Sequence, residues 1–217
     1  MERRVVTSMG DNCIQIMEKP EYITYKDISD VLKKAHEQHR EKGINMRVPS
    51  LPPDELQKWV GEEGKCYVAM LNGKLVGTSS IVFRTLDRWF SKGNVAELTM
   101  MGVLPEYQGM HIATMLNEAL EKEIVCRGFS SIYSDTAEEN TSRIKMCEKE
   151  GYILVDYLFP NANSKGHFFV GMMKWLDGCP FSKNYCAFHF KLKRFVVRFI
   201  YSLLGDKLYR LRKLLKN

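Results

Sequence analysis

The chain has 217 residues and a formal net charge of +6 at pH 7, and 45% of its residues are hydrophobic. This length allows one well-buried core and is too short for two full-sized domains, so we expect one main domain. The six cysteines show neither CxxC pairing nor metal-ligand spacing with histidine, so the sequence predicts neither a metal site nor a disulfide framework.

The N-terminal segment, residues 1–20, contains two arginines but no continuous apolar core and no small-residue cleavage site. It therefore does not have the pattern of a secretory signal, and we expect a cytoplasmic protein. No uninterrupted apolar run approaches the roughly 20 residues that a membrane-spanning helix needs. The sequence predicts no transmembrane segment.

The predicted elements of the main domain follow the order strand, two helices, three strands, helix, strand, helix and two strands. Their approximate ranges are 13–17, 24–42, 54–60, 65–71, 74–84, 94–103, 109–127, 129–135, 141–150, 152–159 and 167–176. The Asn72-Gly73 pair between two of these strands is a strong hairpin signal. The alternation of strands and helices predicts an α/β (α+β) fold.

The segment Ala96–Leu116, AELTMMGVLPEYQGMHIATML, is the most informative part of the chain. An apolar run stops at Pro105, turns through 108–110 and continues as an amphipathic helix. A helix that opens after such a loop presents unpaired backbone N–H groups and the positive end of its dipole. The segment is therefore a candidate binding site for a phosphate or diphosphate. The alternative is a strand, turn and helix that serve packing alone.

This segment resembles the coenzyme-binding motif of the GNAT superfamily of acyl-CoA N-acetyltransferases, whose pattern is Arg/Gln-x-x-Gly-x-Gly/Ala. Gln108 and Ala113 fit its first and last positions, and His111 stands where the middle glycine is usual. A Cβ at His111 narrows the approach of a diphosphate to the backbone, although an imidazole N–H can donate a hydrogen bond to it.

A second segment, Asn140–Tyr152, resembles the other coenzyme-side helix of the same superfamily, with Asn140, Gly151 and Tyr152 at matching positions. Cys147 stands where the family commonly places a tyrosine that protonates the coenzyme A thiolate. A thiol of pKa about 8.5 is chemically able to supply that proton. The alternative is that Cys147 is a buried apolar residue and that water, Tyr133 or Tyr152 supplies the proton.

The resemblance covers about residues 12–176 and implies a GNAT-like mixed sheet, splayed between the strands at 94–103 and 129–135 and flanked by helices. It implies transfer of an acetyl group from acetyl-CoA to an amine by direct attack in a ternary complex, without a metal. It further implies that the backbone at 101–103 aligns the pantetheine and that the loop and Asn140 hold the coenzyme. The implied coenzyme-binding residues are Met101, Gly102, Val103, Gln108, Gly109, Met110, His111, Ile112, Ala113, Thr114 and Asn140.

An acceptor amine must lose a proton, and Glu97 is the candidate general base because it lies on the strand that leads into the coenzyme loop. A surface carboxylate is the alternative interpretation of Glu97. His36 and His39, three residues apart on the first helix, are rival bases that also fit a solvated helix face. Residues that could select the acceptor are Arg47, Arg84, Asp87, Arg88 and Trp89.

The C-terminal residues 179–217 form a basic amphipathic extension of the main domain, which we assign to 1–178. Residues 180–217 contain ten Lys or Arg and one Asp, a net charge of +9, and their apolar residues recur at helical spacing. Such helices suit peripheral contact with an anionic membrane, packing on the core or a homodimer, and they suit nucleic acid less well. An alternative function is a non-catalytic binding module that docks to a membrane or a protein complex through this tail.

Overall fold

The computed structural model describes residues 4–9, 12–46, 48–86, 93–161, 164, 166–205 and 207. Its strands are β1 Arg4–Met9, β2 Asn12–Glu18, β3 Lys65–Leu71, β4 Lys74–Leu86, β5 Gly93–Val103, β6 Ser131–Ala137, β7 Ile153–Leu158 and β8 Phe169–Trp175. Its α-helices are α1 Tyr25–Ala35, α2 Glu37–Glu41, α3 Pro53–Val60, α4 Ile112–Cys126, α5 Thr141–Lys149 and α6 Lys183–Leu204.

The strands form one mixed sheet in the order β1-β2-β3-β4-β5-β6-β8-β7. The β5–β6 pair is parallel and the other described neighbours are antiparallel. Parallel pairing joins three residues of each strand, Ala96–Leu98 with Ile132–Ser134. Beyond Leu98 the two strands separate, and this splay opens the middle of the sheet.

Alternation along the strands places apolar side chains on both faces of the sheet. On one face, α4 buries Ile112, Leu116 and Leu120 in a cluster that also contains Cys147 of α5. On the other face, α1 and α3 bury Ile28, Leu32 and Leu56 against alternate residues of β2 and β3. Helix α6 covers the C-terminal strands, where Val197 packs with Tyr157, Phe168 and Val170.

The predicted splayed, mixed sheet flanked by helices is confirmed, and so is a C-terminal helix. The helix predicted to run to Lys42 instead breaks at His36, whose φ of −106° and ψ of 10° separate α1 from α2. β1 was not predicted. The second basic run of the tail, residues 206–217, lies outside the described residues except for Lys207.

Candidate functional site

The strand β5 carries a bulge at the point where it leaves β6. Thr78 pairs with Gly102 and Ser80 with Thr99, so β5 has one residue more than β4 over this stretch. Met100 lies inside the bulge with a φ of 55°, a left-handed conformation that is uncommon for a residue with a Cβ. The bulge turns the backbone at Met101 out of the regular ladder, toward the space opened by the splay.

Two residues near the end of the loop after β5 have left-handed backbone. Gly109 has a φ of 81°, and His111, which precedes α4 as its N-cap, has a φ of 58°. Helix α4 therefore begins at Ile112, three residues later than the predicted start at Gly109. A Cβ added to Gly109 would meet no atom within 4 Å, so the loop leaves open space above the first turn. The unpaired N–H groups of that turn could hold an anion.

The bulge, the loop and the start of α5 line one cleft of about 1230 Å³. Asn140 caps α5 because its Oδ1 accepts a hydrogen bond from the Arg143 backbone N–H at 3.3 Å. The Gln108 amide donates to the Val103 carbonyl at 3.2 Å and closes the loop onto β5. The predicted coenzyme-binding residues on the cleft wall are Met101, Gly102, Val103, Gln108, Gly109, His111, Ile112, Ala113, Thr114 and Asn140. Met110 packs against the core instead.

Glu97 lies on the same cleft wall with its side chain 13% exposed. Its Oε2 is 2.7 Å from the Arg84 Nε, and the Arg84 guanidinium lies 4.1 Å from the centre of the Trp59 ring. The guanidinium stabilises the ionised carboxylate, and the indole restricts the guanidinium. Glu97 is thus an oriented carboxylate rather than a freely solvated one.

His36 connects the first helix to the bulge. Its Nε2 lies 2.9 Å from the Met101 carbonyl oxygen, which can only accept, so Nε2 carries the proton. Burial lowers the pKa of His36 to about 4, and the imidazole is therefore neutral near pH 7. Its Nδ1 is buried without a hydrogen-bond partner among the described residues. His39 also lines the cleft, and burial lowers its pKa.

The family model described as the Acetyltransferase (GNAT) family matches residues 29–152, more than half of the chain. The chain belongs to the GNAT acetyltransferase family. An acetyltransferase of Pectobacterium atrosepticum is 35% identical over 89 residues, 41% of this chain and 57% of that protein. One of Photorhabdus laumondii is 35% identical over 85 residues, 39% of this chain and 54% of that protein. The present chain thus spans little more than half the length of these two curated relatives.

Solved structures share the same GNAT fold. Aminoglycoside 6'-acetyltransferase type Ii superposes with a TM-score of 0.55 and 23% identity, over 76% of this chain and 99% of that chain. A GNAT family acetyltransferase from Elizabethkingia anophelis with acetyl-CoA bound gives a TM-score of 0.53 and 16% identity, over 75% and 98% of the two chains. At these identities the likeness concerns the fold, and it confirms the resemblance drawn from the two motifs.

Cys147, at the position of the usual GNAT tyrosine, lies in the core with 0% exposure. Burial raises the pKa of its thiol, and the Arg143 charge opposes part of that rise. The cleft wall includes Met146, the preceding residue, but not Cys147 or Tyr152. Tyr133, the third candidate proton donor, does line the cleft. The structure therefore brings Glu97 and the coenzyme loop together and keeps Cys147 apart from them.

The sequence did not predict that Arg143, Lys193 and Val197 line the cleft. Arg143, one turn into α5, lines the cleft and has a buried Nη1 without a hydrogen-bond partner among the described residues. The sequence signal that could have identified Arg143 as a cleft residue is its position three residues after Asn140. Lys193 and Val197 of α6 also reach the wall, and no sequence pattern related that tail helix to the cleft. Arg47, Asp87, Arg88 and Trp89 lie outside the described residues.

Neither metal-binding clusters nor spanning helices emerge from the described residues. No group of three or more His, Cys, Asp or Glu side chains in this part of the chain could hold a metal ion. None of the helices that the structure describes is long and apolar enough to cross a membrane.

Proposed function

We propose that the chain transfers an acetyl group from acetyl-CoA to an amine by direct attack in a ternary complex. One observation carries the proposal: the bulged strand, the N-terminus of α4 and the Glu97 carboxylate open onto a single cleft. Membership of the GNAT family supports it. The protein acts in the cytoplasm in this proposal.

The coenzyme side of the cleft fits a diphosphate. Backbone N–H groups from Gly109 to Thr114 would hold it, and the open space at Gly109 leaves room for that approach. The backbone of Met101 to Val103 would align the pantetheine arm beside the bulge. Arg143 and Asn140 add polar groups to the same wall. The bound co-substrate supplies an activated acetyl thioester.

The acceptor side begins at Glu97. An ammonium cannot attack a thioester until it has lost a proton, and a held carboxylate on the cleft wall can accept that proton directly or through water. His36 is less available as a base, because its Nε2 donates to the Met101 carbonyl oxygen and its Nδ1 is buried. This geometry favours Glu97 over His36 as the general base.

The leaving thiolate needs a proton from Cys147, from Tyr133 or Tyr152, or from water. Cys147 keeps its proton because burial raises the pKa of the thiol, but its side chain is 0% exposed in the core. Water and Tyr133, which lines the cleft, therefore have the more direct access to the leaving sulfur.

The acceptor is an amine whose remaining groups contact the wall beside Glu97. Arg84, Lys42 and Lys193 contribute cations there, and Glu139 contributes a carboxylate. Because Arg84 is already paired with Glu97 and Lys193 with Asp156, an acceptor with an acidic group would meet Lys42. We propose an acceptor that carries an amine and a polar or acidic substituent.

A non-catalytic binding module is the second candidate, favoured by His111 at the loop and Cys147 in the core. In this case the cleft would bind the coenzyme without turnover, and the tail would dock to a membrane or a protein complex. Homodimer formation through residues 180–217 belongs to the same set of proposals.

Titration of the purified full chain with acetyl-CoA, followed by thiol release with amines, amino sugars and peptides, tests the proposed function. We expect calorimetric binding and thiol release with one class of amine. Binding without release across the panel would favour the non-catalytic module. Absence of binding would contradict an open coenzyme site beside His111 and would overturn the proposed transfer.

A further inference from the structure

We propose that the outer face of α6 docks on an anionic membrane surface. The outer stripe consists of Phe188, Leu192, Phe195, Phe199 and Leu203, which recur every three or four residues along one side of the helix. Their exposed fractions are 65%, 48%, 68%, 55% and 67%. A contiguous apolar face of this kind indicates a binding surface, because soluble monomers rarely expose one.

The opposite side of α6 is already occupied. Cys186 and Val197 are buried against the C-terminal strands, and Tyr201 packs edge-on to Phe168. These residues are offset by two positions from the outer stripe, which places them across the helix. The outer stripe therefore cannot turn inward while this packing holds.

Ion pairs fix the orientation of α6 on the domain. Lys193 pairs with Asp156, whose side chain is 2% exposed. Glu138 forms two ion pairs, with Oε1 at 2.7 Å from the Arg194 Nη2 and Oε2 at 2.8 Å from the Arg198 Nη2. One carboxylate therefore pairs with two cations. The two arginine side chains are 48% and 49% exposed, and the flank beside the outer stripe retains an excess of positive charge.

The charge of the helix selects the kind of partner. Helix α6 contains five Lys or Arg and no Asp or Glu, and residues 180–217 carry ten Lys or Arg against one Asp. A phenylalanine-rich stripe beside cations suits the headgroup and acyl boundary of an anionic bilayer. Each cation near such a surface strengthens binding.

A second copy of the chain fits the same surface less well. Helix pairs that associate through an apolar seam usually place charges of opposite sign along its edges. Two copies of α6 would bring cations against cations, since the helix has no acidic residue. Like charges at such a seam oppose association, whereas anionic lipids neutralise them.

Vesicle co-sedimentation tests the proposal with the full chain. The vesicles contain phosphatidylcholine alone or phosphatidylcholine mixed with phosphatidylserine. We expect wild-type protein to pellet with the mixed vesicles and to be released by added salt, which screens the cationic flank. The double substitution Phe195→Glu with Phe199→Glu should weaken this binding by about tenfold or more, since it removes two inserted rings.

The matched control is Val125→Glu, because Val125 is a 55% exposed apolar residue on α4. This variant should bind vesicles as wild type does. Circular dichroism checks that each variant is folded, and acetyl-CoA titration reports on the cleft separately, so failure of docking and failure of the proposed function are distinguishable.

Two outcomes would overturn membrane docking. One is the absence of wild-type binding to the mixed vesicles. The other is a wild-type dimer in sedimentation velocity that the double substitution converts to a monomer, which would identify the outer stripe as a subunit interface.

Discussion

Glu97 and His36 lie on the same cleft wall in opposite electrostatic surroundings. Glu97 faces the Arg84 guanidinium at 2.7 Å, which stabilises its charge. His36 is buried beside a backbone carbonyl, and burial keeps it neutral. The two side chains can therefore be tested by different measurements, one kinetic and one thermodynamic.

Replacing Glu97 by Gln should lower kcat by about 10²-fold or more, since a general base contributes at least that factor. Acetyl-CoA affinity should stay near the wild-type value because the coenzyme contacts lie elsewhere on the wall. Steady-state thiol release and calorimetry measure the two effects. Glu118→Gln, at an exposed position of α4, is the matched control. Retention of wild-type kcat in Glu97→Gln would exclude Glu97 as the base.

The pKa of His36 falls from 6.5 to about 4 in the folded chain, and stability should depend on pH accordingly. Between these values the unfolded chain binds a proton that the folded chain does not, so acidification favours unfolding. The free energy of unfolding should fall by about 3 kcal/mol from this group as pH drops from 6.5 to 4. Well above pH 6.5 the imidazole is neutral in both states, and the group no longer makes stability depend on pH.

Urea unfolding of His36→Gln and wild type across this pH range measures the contribution. The free energy of unfolding of the variant should fall less steeply on acidification than that of the wild type. Equal slopes in wild type and His36→Gln would contradict the assignment of the buried neutral state to His36.

Residue types in the two motifs predicted much of the cleft wall, because Gln108, Ala113 and Asn140 occupy fixed places in local strand-loop-helix units. The environments of Glu97 and Cys147 were not predictable in the same way. Arg84 reaches Glu97 from the neighbouring strand, and the burial of Cys147 depends on packing between α5 and the sheet. Contacts between distant segments decide both.

Packing between α1 and β5 shapes the site at the scale of elements. A Cβ added to Gly102 would lie 3.1 Å from both the Ala35 Cβ and the Leu32 Cδ2. The helix thus approaches the strand as closely as a glycine permits, and this approach brings His36 within reach of the bulge. The sequence placed Gly102 in a strand but gave no sign of the helix above it.

Gly102→Ala should lower the free energy of unfolding by about 1–3 kcal/mol, because the added methyl group overpacks this contact. It should also weaken acetyl-CoA binding, since the backbone of the bulge must shift. Chemical denaturation and calorimetry measure these effects. Adding Ala35→Gly removes one of the two close contacts and should recover part of the binding. Unchanged stability in Gly102→Ala would show that α1 moves away freely.

Helix boundaries show the same dependence on tertiary contacts. The apolar spacing of 24–42 predicted one helix, whereas the hydrogen bond from His36 to Met101 accompanies the break between α1 and α2. The predicted start of α4 at Gly109 was three residues early because Gly109 and His111 take left-handed backbone. Local periodicity identified the elements, and long-range contacts set their ends.

At the scale of the whole molecule, α6 is joined to the domain more closely than a separate tail would be. It packs on β7 and β8, and it contributes Lys193 and Val197 to the cleft wall. The sequence predicted a boundary at 179. The ion pairs of Glu138 and Asp156 with α6 favour a single folding unit across that position.

Deletion of residues 180–217 should therefore lower the free energy of unfolding by about 3 kcal/mol or more. The deletion exposes apolar residues of the strands that α6 covers. It also removes Lys193, the ion-pair partner of the buried Asp156 carboxylate. Thermal and urea unfolding measure the loss. Phe195→Ser, at a 68% exposed position, should change stability by less than about 0.5 kcal/mol. A truncated chain as stable as wild type would support an independent tail with a boundary at 179.

The narrow parallel contact between β5 and β6 has a mechanical consequence. Three residue pairs join the half-sheet β1–β5, which carries the coenzyme loop, to the half-sheet β6–β8, on which α6 is fixed. A ligand that fills the cleft would contact both half-sheets, because the cleft wall includes residues of β5 and of β6. Free energy gained by such contacts would oppose separation of the two half-sheets at this seam.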